Sequence, residues 1–156
     1  MNVRNCLATI AMAATFASAQ EFLTPGTGIE VAGGYNVQAN IDTSTDMVTF
    51  EIFMKDNSWM GLVLGNSGMA PGSDMIQIKA NGVNSRVYDK FSQGYISPAI
   101  DGEKDLASTF RFFEGGFIRF TISRPLDTGD ANDFLIQADQ EFDLGYAINS
   151  KTNDLL

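Results

Sequence analysis

The feature that most constrains the fold is a short alternation of apolar and polar residues that recurs along the chain. The alternating segments are separated by Gly, Asn, Asp and Pro, and successive segments begin roughly a dozen residues apart. In Phe117–Ser123, for example, the even-numbered residues are apolar and the odd-numbered residues after Phe117 are polar. A period of two places one side of a strand in a core and the other in solvent. The pattern therefore predicts half-buried antiparallel strands.

The chain contains no convincing helical stripe that is capped at both ends, apart from the apolar run near the N-terminus. Turn signals such as Asn81-Gly82 and Asp101-Gly102 supply tight reversals between the alternating segments. Together these patterns favour a single-domain sandwich or barrel. The predicted strands are Tyr35–Ile41, Met47–Met54, Met60–Leu64, Asp74–Ala80, Arg86–Phe91, Ala107–Phe113, Phe117–Ser123, Phe134–Ala138 and Leu144–Asn149.

The first residues are typical of a secretory signal peptide. Arg4 supplies positive charge, Leu7–Phe16 is an apolar run too short to span a bilayer, and Ala17-Ser18-Ala19 is a small-residue cleavage pattern. We expect residues 1–19 to be a signal peptide and residues 20–156 to form one domain. No later segment has the length of a membrane span, so the sequence predicts a secreted, extracellular protein.

Charge and cysteine content restrict the partners. The whole chain has a net charge of −9, and removal of Arg4 with the signal peptide changes it to −10. Such acidity argues against nucleic acid and anionic membranes, and is compatible with cations, neutral sugars or basic proteins. The only cysteine, Cys6, also lies in the signal peptide. Packing or a bound ion, rather than a disulfide, must then stabilise the domain.

The chain contains no histidine. This excludes Ser-His-Asp and Cys-His catalysis and His-ligated zinc or haem within one chain. Paired carboxylates of the kind that glycosidases use remain available, but no pair has a context that predicts burial beside a second acid. We expect no catalytic residues.

Carboxylates near turns indicate a second kind of chemistry. Asp74 ends the glycine-rich stretch GNSGMAPGSDM, Asp89 lies at the end of a predicted strand, and Asp101 and Asp105 flank a turn. Oxygen-rich loops suit a hard cation such as calcium, whereas caps and Asx-turns are the ordinary structural alternative. The acidic group of Asp127, Asp130 and Asp133 has the same two interpretations.

Three other side chains are candidate ligand contacts. Met69 presents a thioether from the same glycine-rich loop, where it is either a haem ligand or a packing residue. Trp59 and Tyr95 are candidates for a surface on which a sugar stacks, and packing in the core is the structural alternative.

Several motifs resemble the DOMON domain, in an order that spans nearly all of the chain after the signal peptide. They are WMGLVLG at 59–65, MAPGSDM at 69–75, Val87-Tyr88-Asp89, Pro98 with Asp101, SRPLDTGDANDFLI at 123–136 and Leu144-Gly145-Tyr146-Ala147. The last long motif looks most like the copper-monooxygenase branch of that family.

The resemblance implies an all-β fold, an immunoglobulin-like antiparallel β-sandwich of about 8–10 short strands, usually extracellular and without catalytic residues. The family is associated with haem or sugar binding. In its haem-binding members one axial ligand is a loop methionine, which corresponds to Met69. The other is a histidine near 144–148, which this chain lacks, so haem b is the less favoured cofactor.

The monooxygenase branch implies a cation site instead. The matching ligands are the Asp74 carboxylate, the Met75 and Lys90 carbonyl groups and the Asp105 carboxylate. The copper sites of that branch lie in other domains and use histidine, so we expect no monooxygenase activity.

These patterns together predict a secreted, non-catalytic module that binds a carbohydrate or small molecule and holds a structural calcium ion. One alternative is a haem-binding or electron-transfer accessory that uses Met69. Another is an extracellular structural or adhesive protein that acts through protein partners.

Overall fold

A computed structural model describes residues 17–23, 28–31, 33–66, 68–102 and 104–149. Within these ranges the chain forms strands connected by turns and loops. The strands are β1 (Ala17–Leu23), β2 (Gly28–Val31), β3 (Tyr35–Asp42), β4 (Met47–Lys55), β5 (Ser58–Leu64), β6 (Asp74–Ala80), β7 (Arg86–Phe91), β8 (Ala99–Ile100), β9 (Ala107–Phe113), β10 (Phe117–Pro125) and β11 (Phe142–Asn149).

The strands form two antiparallel sheets that pack face to face. The six-stranded sheet has the order β1-β11-β5-β6-β7-β8, and the five-stranded sheet has the order β2-β3-β4-β10-β9. The alternation along each strand sends every second side chain between the sheets. The prediction of an all-β, immunoglobulin-like antiparallel sandwich is confirmed.

The core consists of the inward-facing residues of both sheets. The five-stranded sheet contributes Phe50, Ile52, Ile118 and Phe120, among others, and all four are fully buried. The six-stranded sheet contributes a facing set that includes Met60, Leu62, Ile76, Ile78 and Leu144.

One predicted strand is wrong. Phe134–Ala138 lies in the connection between β10 and β11, residues 126–141, and is not a strand. The N–H group of Phe134 donates to the Asp74 carboxylate, and its carbonyl accepts from Arg124. Because side chains satisfy these backbone groups, the segment needs no neighbouring strand. The short strands β2 and β8 were not predicted, since four and two residues carry too little alternation to detect.

The first strand overlaps the predicted signal peptide. β1 pairs with β11 from Ala17 opposite Ile148 to Leu23 opposite Phe142. The predicted cleavage after Ala19 falls within this pairing, and the part that follows the cleavage point, 20–23, is opposite 142–145. The signal peptide remains a prediction. No helix in the described part of the chain is long and apolar enough to cross a membrane.

Candidate functional site: an acidic cluster around a buried arginine

Arg124 is the unexpected residue of the sandwich interior. It follows Ile118, Phe120 and Ile122 at the inward-facing positions of β10, and its side chain is fully buried. A buried guanidinium requires a charged or hydrogen-bonded partner, because desolvation of an unpaired charge is very unfavourable. The partners come from the opposite sheet and from the 126–141 connection.

The principal partner of Arg124 is Asp74, the first residue of β6. Arg124 Nη1 lies 2.6 Å from Asp74 Oδ2, and Arg124 Nη2 donates to the carbonyl of Phe134 at 2.6 Å. The N–H group of Phe134 donates to the same Asp74 oxygen at 2.9 Å. Asp74 is only 2% exposed. The ion pair therefore joins the two sheets and fixes the 126–141 connection against them.

Two further carboxylates lie beside this pair. Asp89 on β7 is paired with the core residue Ile76 on β6. Its side chain therefore points into the sandwich, and Asp89 is 4% exposed. Its Oδ2 accepts a hydrogen bond from the N–H of Asp105 at 3.3 Å. Asp133 in the connection places its Oδ2 3.7 Å from Arg124 Nη1. One arginine thus faces three carboxylates, and the fully ionised group carries a net charge of −2.

Each of the three carboxylates keeps one buried oxygen without a hydrogen-bond donor among the described residues. These oxygens are Asp74 Oδ1, Asp89 Oδ1 and Asp133 Oδ2. One carboxylate oxygen from each residue lies within 4.8 Å of one from both of the others. Buried acceptors are normally satisfied, so such a group of acceptors is satisfied by protons, a cation or buried water.

The pKa values of the three carboxyl groups reflect this crowding. Burial, together with the charges of Asp133 and Asp74, raises the pKa of Asp89 to about 7. Burial also raises the pKa of Asp74, although the Arg124 charge and the Phe134 N–H group oppose this effect. The pKa of Asp133 is raised chiefly by burial, against a hydrogen bond from Thr128. Burial and crowding therefore favour the protonated forms of these carboxyl groups when no cation is bound.

A cleft of about 210 Å³ lies beside the cluster. Asp74, Asp133 and Phe134 form part of its wall, and Asn66, Ser73 and Asn132 add polar groups. Asn66 Nδ2 donates to Ser73 Oγ at 3.3 Å, which connects the two ends of the glycine-rich loop. The cleft is open to solvent and its lining is mainly polar.

Gly65 determines how closely the loop and the connection approach each other. Its φ angle is +68°, and a Cβ atom at this position would lie 2.1 Å from Phe134 Cδ2. Only glycine combines this backbone conformation with the ring packed directly on its Cα. The packing holds Phe134 where its backbone binds both Asp74 and Arg124.

The predicted cation ligands are partly assembled by the fold. Asp74 belongs to the cluster, and Asp105 lies next to it through its N–H bond to Asp89. Met75 and Lys90 are cross-strand partners, one position along β6 and β7 from Asp74 and Asp89. These four predicted roles remain predictions.

The residues that complete the cluster are Asp89, Asp133 and Arg124, and the sequence-based metal set lacked all three. Asp89 and Asp133 were considered as cation ligands or as turn-capping residues, in two separate acidic groups, and were not combined with Asp74 into one site. Arg124 could have been recognised from its even number, because the even-numbered residues of β10 face inward and Arg124 continues that series. An arginine at an apolar position of a core strand indicates a buried acid opposite it.

The residues present do not provide the haem ligation that the resemblance implies. Met69 is partly buried in the glycine-rich loop and does not line the cleft beside the cluster. The chain has no histidine, and positions 144–148 of β11 carry Leu, Gly, Tyr, Ala and Ile. A methionine–histidine pair therefore cannot form within this chain.

Trp59 and Tyr95 do not share one stacking surface. Trp59 lies at the end of β5 that pairs with Lys79. The other end of β5, at Leu64, pairs with Asp74. Tyr95 follows β7 near that second end, where neighbouring Gly94 approaches Pro71, and it is 87% exposed. The two aromatic residues lie at opposite ends of the six-stranded sheet, so a ligand would meet each of them separately.

The fold and this cluster define a two-sheet β-sandwich domain with a charged, largely buried group at one end. The family model of the DOMON domain matches residues 31–149. The chain belongs to the DOMON domain family, and the predicted family is confirmed.

Two solved structures are similar to this chain. One is the cytochrome domain of Myriococcum thermophilum cellobiose dehydrogenase, with 12% identity and a TM-score of 0.48; the match covers 79% of this chain and 61% of that one. The other is the cytochrome b domain of pyranose dehydrogenase from Coprinopsis cinerea, with 12% identity and a TM-score of 0.42, covering 84% of this chain and 76% of that one. A search of curated proteins found no match.

Proposed function

We propose that this DOMON domain is a secreted, non-catalytic binding module that holds a divalent cation, with calcium as the natural candidate, at Asp74, Asp89 and Asp133. The observation that supports this proposal is the set of three carboxylates that each keep one buried oxygen without a donor. Calcium binds six to eight oxygens, many of them from carboxylates. The Asp105 carboxylate, the nearby backbone carbonyls and water supply the remaining ligands in this proposal.

The charge of the cluster favours a divalent ion. Arg124 neutralises one carboxylate and uses Asp74 Oδ2, which leaves Asp74 Oδ1 directed elsewhere. An ion of charge +2 would balance the other two carboxylates. Because such an ion binds only the folded protein, it stabilises a domain that has no disulfide after removal of the signal peptide.

The adjacent cleft is the proposed ligand site. Asp74 and Asp133 belong both to the cluster and to the cleft wall, so the ion would hold this wall in one conformation. Asn66, Ser73 and Asn132 offer uncharged donors and acceptors that suit the hydroxyl groups of a sugar or a similar small molecule.

The first experiment is a calcium titration of protein that has been treated with EDTA and dialysed. At a free calcium concentration 100 times the Kd, binding adds about 2.7 kcal/mol to the free energy of unfolding. We expect this to raise the Tm by roughly 5–11 °C. Asp89→Asn should lose most of the shift, because it removes one of the central carboxylates.

The matched control is Asp139→Asn, which removes the same charge at an exposed position outside the cluster and should keep the shift. Isothermal titration calorimetry on the same samples gives the stoichiometry, which we expect to be one ion per chain. If the wild-type Tm does not change and the calorimeter detects no binding, the cation proposal is wrong. An equal loss of the Tm shift in both variants would show that calcium acts through the overall negative charge and not through the cluster.

A further inference from the structure

Strand β9 is an unusually open sheet edge. It is the outermost strand of the five-stranded sheet and pairs with β10. Six of its seven residues are exposed and the seventh, Phe113, is half-buried. Exposed edges offer unpaired N–H and C=O groups to other chains, and proteins usually shield them with proline, bulges or inward-pointing charges. β9 contains no proline and no acidic residue, its register with β10 has no bulge, and its one charged residue, Arg111, lies on the outer face.

The inner face of β9 is apolar and incompletely covered. Phe110 and Phe112 are opposite Phe120 and Ile118 of β10, which are fully buried core residues. Yet Phe110 is 39% exposed and Phe112 is 48% exposed. The opposite sheet therefore covers β10 but leaves β9 partly uncovered, and the Phe110 and Phe112 rings form an apolar surface that is exposed to solvent.

The outer face of β9 and β10 carries two arginines, Arg111 and Arg119. Arg111 is directly opposite Arg119 of β10, and both guanidinium groups lie over the Phe113 ring, at 5.4 Å and 4.9 Å from its centroid. Like charges at directly opposite positions are destabilising. Neither arginine forms an ion pair with any described residue. Neither β9 nor β10 contains an acidic residue, although the chain has 19 of them.

We propose that β9 is the docking edge for an extended acidic segment of a partner protein, which adds to the five-stranded sheet as a sixth strand. Backbone hydrogen bonds to the free edge give the segment its register. Aspartate or glutamate side chains on its outer face bind Arg111 and Arg119. Apolar side chains on its inner face cover Phe110 and Phe112.

Charge complementarity selects this partner over a second copy of the chain. Two copies paired through β9 would bring the arginines of both strands together, and β9 supplies no carboxylate to separate them. An acidic strand neutralises both arginines and pairs the free edge at the same time.

The experiment uses fluorescein-labelled peptides that alternate valine and glutamate over eight residues, with fluorescence anisotropy as the readout. We expect this peptide to bind and the matched valine–lysine peptide not to bind. Reversal of both charges in Arg111→Glu/Arg119→Glu should weaken binding by at least about tenfold, because charge-assisted contacts become repulsive. Arg111→Lys/Arg119→Lys is the charge-conserving control and should retain most of the affinity.

A peptide with N-methyl groups on alternate residues tests the strand itself, because it cannot form one of its two rows of backbone hydrogen bonds. Methylation of the row that faces β9 should abolish binding, and methylation of the other row should not. Equal binding of both methylated peptides would show that the site recognises only negative charge and not a strand, and would overturn the proposal. Dimerisation of the unliganded protein in sedimentation equilibrium, removed by the charge reversal, would overturn it in favour of a second copy. Asp89→Asn should bind the peptide normally, since β9 acts independently of the cation cluster.

Discussion

Arg124 and Asp74 show how two residues connect the sheets of this sandwich. They lie 50 positions apart in the chain, and they meet because each begins or ends the inward-facing series of its own strand. Buried ion pairs contribute little net stability compared with apolar packing, but loss of one partner is strongly destabilising because the other charge stays buried. Removal of Arg124 alone should therefore cost more stability than removal of both charges.

Arg124→Met should lower the free energy of unfolding by about 3–5 kcal/mol, because Asp74 then loses its buried partner. Asp74→Asn/Arg124→Met should recover part of that loss, since asparagine is neutral and can still accept the hydrogen bond from Phe134. Urea unfolding of the two variants and the wild type measures both effects. A double variant less stable than Arg124→Met would contradict this account of the ion pair.

The contact between Gly65 and Phe134 gives a second prediction at the residue scale. Gly65→Ala should destabilise the protein by more than about 2 kcal/mol, because the new methyl group overlaps the Phe134 ring and the φ angle is unfavourable. In the Phe134→Ala background the steric part of the loss should disappear. A double-mutant cycle from chemical unfolding measures this coupling, and strict additivity of the two losses would disprove the contact.

The 126–141 connection is the element that the cluster organises. It has no strand, and its backbone instead uses Asp74, Arg124 and the carbonyl of Leu126, which accepts a hydrogen bond from the N–H of Ile136 at 3.0 Å. Such a segment depends on a few side-chain contacts, so its local stability should follow the state of the cluster.

Cation binding should therefore slow hydrogen exchange at two particular amides. The N–H groups of Phe134 and Asp105 donate to the carboxylates of Asp74 and Asp89, and an ion would hold those carboxylates in place. NMR exchange rates with calcium and with EDTA test this expectation. The Gly115-Gly116 turn between β9 and β10 lies outside the cluster and is the internal control. Uniform slowing at all sites would indicate global stabilisation only.

At the scale of the whole molecule, the acidic cluster couples stability to pH. The folded protein raises the pKa of Asp89 to about 7 from an ordinary value of 3.8, and it also raises those of Asp74 and Asp133. Folded protein then binds more protons than unfolded protein between these values. The free energy of unfolding without metal should therefore fall as the pH rises from about 4 to about 7.

We expect this decrease to be on the order of 3 kcal/mol, from the size of the Asp89 shift. Asp89→Asn should flatten the profile, because asparagine does not titrate. Saturating calcium should flatten it too, because the ion replaces the protons. Urea unfolding in EDTA at pH 5, 6, 7 and 8 measures the profile. Stability that increases over this range would show that the carboxylates are ionised without a cation.

The strands could be predicted well because their signal is local. Asp74–Ala80, Arg86–Phe91 and Ala107–Phe113 have the predicted bounds, since a period of two within six or seven residues already defines a strand and its inner face. The Phe134–Ala138 prediction failed for the converse reason. Its apolar residues serve a loop, and the side chains that satisfy its backbone come from distant parts of the chain.

The sequence alone determined the strands, the turns, the acidity and the lack of histidine, because each is a property of neighbouring residues or of composition. It also placed Asp74 at the start of a strand, whereas the predicted strand Phe117–Ser123 ended one residue before Arg124. Only the tertiary structure decided that these two residues pair, and that Asp89 and Asp133 join them. Burial raises the pKa of all three carboxyl groups only because the packing of two sheets and a connection removes them from water together, and the charges of Asp133 and Asp74 add to this effect at Asp89.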